Sequence, residues 1–173
     1  ECHAYYSISK KIDNKKKFII ITIDGSGDKG INATVSTFKD KKVKRIYSTK
    51  KFIIGRIYRH ITLYLGMKWG EHEYKTMGLA PYAVNKYSDG PLNIFRKSLK
   101  FSLNKKNFFK INLKDCYFSF FKPLSIHRFD GVAGGLQRFA EEIISKWFKY
   151  WIKNKKIFNF SYSGGVSMNV KVN

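Results

Sequence analysis

The feature that most constrains the fold is an apolar run, Phe18 to Ile23, whose one polar residue is Thr22 and which is followed directly by Asp24 and Gly25. A run this short, rich in β-branched residues and without alternation, predicts a strand that is buried on both faces. Residues 31–40 and 43–50 alternate between apolar and polar side chains, which predicts two further strands. Glycines separate the first two strands and a charged turn separates the last two. We therefore expect a three-stranded meander.

Two segments have the period of a helix. In residues 54–66, Ile57, Ile61 and Leu65 share one face and Gly66 follows as a C-cap. Residues 131–152 carry large apolar side chains at helical spacing and form the strongest predicted helix.

The remaining segments are less regular. Residues 67–82 have no clear period and predict an ordered loop or a broken helix. Residues 85–123 are polar, aromatic and aperiodic, and we interpret them as a peripheral insertion. A strand from Ile157 to Tyr162 then leads into a Gly-Gly turn and the start of a helix.

The order of elements predicts an α/β protein with a mixed sheet flanked by helices. This order resembles the actin-like, ribonuclease-H-like ATPase halves more than a doubly wound dinucleotide fold. The 173 residues are enough for one domain with a hydrophobic core. No apolar run approaches the roughly 20 residues that span a bilayer.

The composition is strongly basic, because 34 Lys and Arg residues against 12 Asp and Glu residues give a net charge of +22. Such a charge is typical of proteins that bind nucleic acid or anionic membranes. The lysines, however, lie in short clusters between apolar runs, where solvated turns belong. We therefore expect neither a membrane nor a nucleic acid as partner. Two cysteines, Cys2 and Cys116, are too few for a disulfide framework and favour a reducing cytoplasm.

The first candidate site is the end of the buried strand. Asp24 follows that strand, where open α/β sheets bind ligands, and Gly25 and Gly27 could bring unpaired N–H groups close to a phosphate. The alternative is a plain Asp-Gly turn between antiparallel strands. His3 precedes a stretch with helical potential, but a histidine four residues earlier would fall before the first residue. A lone histidine is more often structural.

The second candidate site is the turn at Gly164 and Gly165. It follows a strand and precedes a putative helix, whose N-terminal dipole would favour a phosphate. Asn169 and Asn173 are four residues apart on that helix and could face one ligand. The alternative is a simple tight turn.

Two further charged residues are candidates. Lys75 lies in a glycine-bearing loop and could meet a phosphate as a mobile point charge. Asp130 lies at the N-terminus of the long helix, where capping alone would explain it.

Five blocks of the sequence are similar, in order, to the NodU/CmcH carbamoyltransferase family and cover most of the chain. The most specific block is "IIGRIYRHITLYLGMKWGEHEYKTMGLAPY", whose second half matches the family pattern "EYK-MGLAPY". The other blocks are "CHAYYS", "ITIDGSGD", "FDGVAGGLQRFAEE" and "SGGVSMNVKVN". Four of the five would be weak alone, but the long block is specific.

This resemblance implies an O-carbamoyltransferase. In that family an amino-terminal domain of actin-like ATPase fold binds a divalent metal, with iron expected. A YrdC-like carboxy-terminal domain makes carbamoyl-adenylate from carbamoyl phosphate and ATP, and the carbamoyl group passes to a hydroxyl acceptor, a small molecule or a sugar.

The resemblance also assigns residues. It makes His3 and Asp24 metal ligands and Asp130 a residue that positions or deprotonates the acceptor hydroxyl. It makes Gly164, Gly165 and Asn169 contacts of the adenylate.

Residues 1–173 are accordingly expected to be a partial amino-terminal domain. The family's first metal histidine, its last metal aspartate and the YrdC-like domain are not in the sequence, so we expect this piece alone to be inactive. Two alternatives remain open from the sequence: a basic nucleic-acid-binding module, and a threonylcarbamoyl transferase acting on tRNA.

Overall fold

A computed structural model of the protein describes residues 2–8, 16–104 and 107–173. Two of the lysine clusters, at residues 10–17 and 104–110, lie partly outside the described residues. The described strands are β1 (Phe18–Ile23), β2 (Ala33–Lys39), β3 (Lys42–Thr49), β4 (Leu99–Phe101), β5 (Phe109–Ile111) and β6 (Phe160–Ser163). The described α-helices are α1 (Cys2–Tyr6), α2 (Ile54–Tyr64), α3 (Glu73–Leu79), α4 (Asn85–Ser98), α5 (Phe118–Leu124) and α6 (Phe129–Lys155).

The main sheet has four strands in the order β3-β2-β1-β6. β1 pairs antiparallel with β2, and β2 pairs antiparallel with β3, which confirms the predicted meander. β6 pairs with β1 in parallel, so the sheet is mixed and the α/β class is confirmed. β6 begins at Phe160 rather than at Ile157, so the predicted strand is three residues too long at its start. β1 is buried from Ile19 to Ile23, as its apolar composition predicts.

The chain divides into two compact units made from interleaved segments. Unit 1 consists of residues 1–55, 145–171 and 173, and unit 2 of residues 56–144 and 172. The four-stranded sheet belongs to unit 1. Because the boundaries after residues 55 and 144 fall inside α2 and α6, no linker in the sequence marks the division there.

In unit 1, the two faces of the sheet are covered by different helices, and β6 shows why. Successive side chains of a strand point to opposite faces. Ser161 and Ser163 donate hydrogen bonds to α1 and the residue after it. Phe160 and Tyr162 instead contact Phe148 of α6, with ring centroids 5.6 and 5.0 Å apart. The sequence "FSYS" therefore presents hydroxyls to one helix and aromatic rings to the other.

In unit 2, residues 85–123 form regular structure although their sequence shows no clear period. The segment contains α4, the β4–β5 hairpin and α5, and Phe95 of α4 is buried between Phe120 and Phe139, with ring centroids 5.3 and 6.2 Å away. The helical pattern of α4 is hard to read because Pro91 interrupts it. Whether the segment is an insertion stays a prediction.

Two glycines of α6 explain how α4 fits against it. A Cβ on Gly134 would lie 3.2 Å from the Cβ of Ser88, and one on Gly135 would lie 2.7 Å from the backbone nitrogen of Leu92. The bare backbone at these positions lets the two helices approach closely. The glycines in "GVAGGLQ" are thus part of the packing of unit 2.

The predictions for residues 54–66, 67–82 and 131–152 hold. α2 buries Ile57 and Ile61, and Gly66 beyond its end has φ +77°, as a C-cap requires. Residues 67–82 contain α3 followed by a 3₁₀ turn, Ala80–Tyr82, which confirms a broken helix. Among the described residues, no helix is long and apolar enough to cross a membrane.

Candidate functional site

The strand ends of β1 and β6 form the candidate site, which lies within unit 1. Ile21 pairs with Tyr162 and Thr22 with Ser163, so the two parallel strands end side by side. Asp24 follows β1, and Gly164 follows β6. The two sequence motifs that were predicted separately are therefore neighbours in space.

The side chain of Asp24 bridges its own loop and α1. Its Oδ1 accepts a hydrogen bond from the Gly25 N–H at 2.7 Å, and its Oδ2 lies 3.0 Å from Nε2 of His3. The His3 side chain is 54% exposed and that of Asp24 31% exposed, so a ligand can reach both. The sequence spacing offered no second histidine for His3, but the fold places the Asp24 carboxylate beside it.

The loop after Asp24 is held by Asn32, a residue that the sequence interpretation missed. The backbone N–H of Asp24 donates to the carbonyl of Asn32 at 2.7 Å, and Nδ2 of Asn32 donates to the carbonyl of Gly25 at 2.9 Å. Asn32 is 3% exposed, and its Oδ1 has no hydrogen-bond partner among the described residues. Through these two hydrogen bonds Asn32 fixes the start of the loop after β1.

The expectation that Gly25 and Gly27 offer unpaired N–H groups is wrong. The N–H of Gly25 is paired with Asp24, and that of Gly27 donates to the carbonyl of Ile31 at 2.9 Å. The loop connects antiparallel β1 and β2, but it is longer than a plain Asp-Gly turn, because residues 24–32 include a 3₁₀ turn, Asp28–Gly30. A role for Gly25 and Gly27 in binding a nucleotide stays a prediction.

Gly164 and Gly165 are required by the strand ends themselves. Gly164 has φ +100°, and a Cβ there would overlap the carbonyl oxygen of Ile23. A Cβ on Gly165 would lie 2.9 Å from Oδ1 of Asp24. The absence of side chains at this turn keeps the Asp24 carboxylate accessible.

The helix predicted after the glycines is only one 3₁₀ turn, Gly165–Met168, so the prediction of a helix that carries both asparagines is wrong. Asn169 ends the turn in an extended conformation, and Nδ2 of Asn173 donates to the carbonyl of Ser167 at 2.9 Å. Four residues are too few to build the dipole that was expected to favour a phosphate. A contact of Asn169 or Asn173 with a ligand stays a prediction.

Gly55, at the start of α2, also belongs to this cluster in unit 1. A Cβ on Gly55 would lie 2.9 Å from Cγ2 of Val166 and 3.0 Å from the Cα of Gly25. The glycine loop after β1 therefore approaches the backbone of the helix start closely, and the Val166 side chain of the turn after β6 packs against the same glycine. In the sequence, only the position of Gly55 near the start of the long family block could have drawn attention to it. That position does not by itself indicate a role for the residue.

Asp130 belongs to unit 2 and is held by Arg128. Nε and Nη2 of Arg128 each donate to one carboxylate oxygen at 3.1 Å, and the Gly131 N–H donates at 2.9 Å. The hydrogen bond from Arg128 holds the pKa of the buried Asp130 carboxyl below its usual range. Asp130 is the second residue of α6 rather than its cap. A lowered pKa makes the carboxylate a weaker base, so positioning is favoured over deprotonation.

Lys75 also belongs to unit 2. It lies on α3 rather than in a loop, it is exposed, and its Nζ is 3.2 Å from Nε2 of His72. The structure therefore corrects the element that carries Lys75. Its contact with a phosphate stays a prediction.

A metal can be tested against the donor atoms that are present. Two ligands at right angles and about 2.1 Å from a cation lie about 3.0 Å apart. His3 Nε2 and Asp24 Oδ2 have this separation, and an imidazole with a carboxylate suits several divalent transition metals. Among the described residues, no group of three or more His, Cys, Asp and Glu side chains surrounds a common point. The pair therefore fits part of a coordination sphere.

The protein is therefore of the α/β class, and its candidate ligand-binding residues cluster at the ends of two parallel strands. The chain belongs to the family of carbamoyltransferase amino-terminal domains, because the sequence model described as carbamoyltransferase N-terminus matches residues 2–173. The match includes residues 85–123. The predicted carbamoyltransferase family is thus confirmed, whereas the NodU/CmcH branch stays a prediction.

An uncharacterised protein of Methanocaldococcus jannaschii is similar to the chain. The two are 29% identical over 184 residues, which cover 99% of this chain and 34% of that protein. The chain therefore spans about a third of the length of this relative.

Proposed function

We propose that this chain is the metal- and nucleotide-binding part of an O-carbamoyltransferase. The enzyme would move a carbamoyl group from carbamoyl-adenylate, made from carbamoyl phosphate and ATP, to a hydroxyl of a small molecule or sugar. The supporting observation is the meeting of the His3–Asp24 pair with the Gly164-Gly165 turn at one edge of the sheet, in a chain of the carbamoyltransferase family.

In the proposed reaction, the bond between the carbamoyl carbon and the phosphate oxygen of AMP breaks, and a bond from that carbon to the acceptor oxygen forms. AMP leaves with the bonding electrons, and the hydroxyl proton passes to a base. Because AMP is a good leaving group, the protein chiefly orients the hydroxyl and stabilises the developing oxyanion.

His3 and Asp24 would hold a divalent metal, with iron expected, and other ligands would complete its coordination. A bound cation would lower the pKa of an acceptor hydroxyl. Gly164, Gly165 and Asn169 would contact the adenylate. These assignments rest on the family resemblance and on the placement of the residues at the strand ends.

Asp130 would position the acceptor with Arg128, consistent with its lowered pKa. The YrdC-like domain that supplies the adenylate would lie elsewhere in the complete polypeptide.

The test uses the product of the complete gene with radiolabelled carbamoyl phosphate, ATP and a panel of sugars and hydroxylated small molecules. We expect AMP release together with transfer of label to an acceptor. Asp24→Asn and His3→Ala should each lower the transfer rate on the order of 10²-fold. Asp40→Asn is the matched control, because Asp40 is an exposed carboxylate in the β2–β3 turn.

The chelated enzyme should also lose transfer and regain it with added Fe²⁺. Transfer at the wild-type rate in Asp24→Asn and His3→Ala would contradict the proposed site. Absence of labelled product with every acceptor would contradict the proposed reaction.

A further inference from the structure

We propose that Ser163 is a positioning residue for His3, fixing its main chain so that the imidazole meets Asp24. The use of the pair in catalysis rests on the function proposed above, whereas the positioning itself does not. Ser163 is the last residue of β6 and precedes the Gly164-Gly165 turn.

His3 is held at two points. Oγ of Ser163 donates a hydrogen bond to the carbonyl of His3 at 2.8 Å, while Nε2 of the His3 ring lies 3.0 Å from Oδ2 of Asp24. Ser163 is 6% exposed, so water does not readily replace its hydroxyl. One residue is thus fastened by its backbone to β6 and by its side chain to the end of β1.

The helix that carries His3 needs such an anchor. α1 has five residues, and a helix of this length is unstable without tertiary contacts. The carbonyl of His3 also accepts the Ser7 N–H at 3.1 Å, which is a bond within the turn and does not fix α1 to the sheet. The bond from Ser163 does.

The anchor and the carboxylate belong to one rigid element. Ser163 pairs with Thr22 across the parallel ladder, and Asp24 is two residues beyond Thr22. Because β1 and β6 are hydrogen-bonded neighbours, the Ser163 hydroxyl and the Asp24 side chain keep a fixed separation. The position of the imidazole relative to the carboxylate is therefore set by the sheet.

Ser161 offers a matched control. Its Oγ donates to the carbonyl of Ser7 at 3.1 Å, from the same strand and the same face of the sheet. Ser161→Ala removes a bond of the same kind four residues after His3. Ser163→Thr keeps the hydroxyl and should preserve the anchor.

The first measurement is the imidazole NMR spectrum of the full-length protein labelled with ¹⁵N-histidine, without metal. The chain has four histidines, and the signals of His3 are identified by their loss in His3→Ala. We expect Ser163→Ala to shift or broaden the His3 signals, and Ser163→Thr and Ser161→Ala to leave them in place. His60, His72 and His127 serve as internal references for the fold.

The second measurement is titration with Co²⁺ alone, followed by its visible absorption. Ser163→Ala should weaken binding about 10-fold, the range seen when a residue that orients a metal ligand is removed. Ser161→Ala should bind as the wild type does.

Wild-type His3 signals in Ser163→Ala would overturn the inference, and so would equal shifts in Ser161→Ala. If His3→Ala and Asp24→Ala bind Co²⁺ as tightly as the wild type, the proposed metal site fails. The metal-free spectra then still decide the role of Ser163.

Discussion

The carbonyl oxygen of Ile23 occupies the space into which a side chain at position 164 would project, so only glycine lets β6 turn away beside the end of β1. Gly164 also has a positive φ of +100°. The two requirements act at the same residue, and the turn beside Asp24 depends on both.

Gly164→Ala should therefore lower the free energy of unfolding by more than backbone strain alone. Gly66→Ala is the matched control, because Gly66 has φ +77° and open space where a Cβ would lie. We expect a loss of about 1–2 kcal/mol for Gly66→Ala and a larger loss for Gly164→Ala, measured by urea denaturation. Equal losses would show that the close contact with Ile23 adds nothing to the destabilisation caused by Gly164→Ala.

A second pair of glycines separates helix propensity from packing. Gly135→Ala in α6 would place a Cβ 2.7 Å from the Leu92 backbone nitrogen and 2.8 Å from the Ser88 carbonyl oxygen. Backbone atoms cannot move aside cheaply, so we expect a lower melting temperature. Gly78→Ala in α3 meets no atom within 4 Å and should gain stability, up to about 1 kcal/mol.

The pair is informative because both substitutions add the same methyl group inside a helix. A stabilised Gly135→Ala variant would contradict the close approach of α4 to α6. A destabilised Gly78→Ala variant would show that position 78 is covered.

A third prediction concerns two buried hydroxyls in unit 2. Oγ1 of Thr62 donates to the carbonyl of Tyr58 at 3.0 Å, so its 2.9 Å contact with Oγ1 of Thr76 must have Thr76 as the donor. Thr76→Val leaves Thr62 satisfied and should cost about 1 kcal/mol, whereas Thr62→Val leaves a buried donor unpaired and should cost about 1–3 kcal/mol. Chemical denaturation of both variants and the double variant measures the difference.

In the double variant the loss should be smaller than the sum of the single losses, since no orphan hydroxyl remains. If Thr76→Val proved the more damaging of the two, the assigned direction of the hydrogen bond would be reversed.

A fourth prediction concerns pH. The pKa of Asp130 is lowered in the folded state by its hydrogen bond from Arg128, so the ion pair stabilises the protein above the unfolded-state pKa of about 4. This stability is lost as the pH falls through the lower, folded-state pKa. Asp130→Asn should therefore be less stable than the wild type at pH 7, and the difference should disappear in acid.

A double-mutant cycle with Arg128→Gln, repeated along the pH series, isolates the pair. Coupling that persists unchanged at the lowest pH would contradict an ionic interaction. Coupling absent at pH 7 would contradict the pair itself.

The elements with a clean period were predictable from the sequence. β1 is apolar except for Thr22 because both its faces are covered, and α2 and α6 repeat their large side chains at helical spacing. α4 was not predictable in this way. Pro91 breaks its pattern, and its closest partners are glycines on α6, which leave no hydrophobic signal.

The motifs of the candidate site were predictable from the sequence, but the contacts between them were not. Asp24, Gly164 and Gly165 are marked by their place at strand ends, yet nothing local shows that Asp24 would meet His3. Ser163 and Asn32 act through single hydrogen bonds to carbonyl groups that are distant in sequence or across a turn. Such bonds depend on the register of the sheet, which a single strand does not reveal.

The hydrogen bond between Ser163 and His3 joins residues 160 positions apart, so α1 cannot make it until β6 has been synthesised. At a synthesis rate of about 5–20 residues per second, this interval lasts roughly 10–30 s on the ribosome. Until then the main chain of His3 lacks its hydrogen bond to β6. If His3 and Asp24 hold a metal as proposed, the orientation of their side chains is set only after translation has continued well beyond both residues.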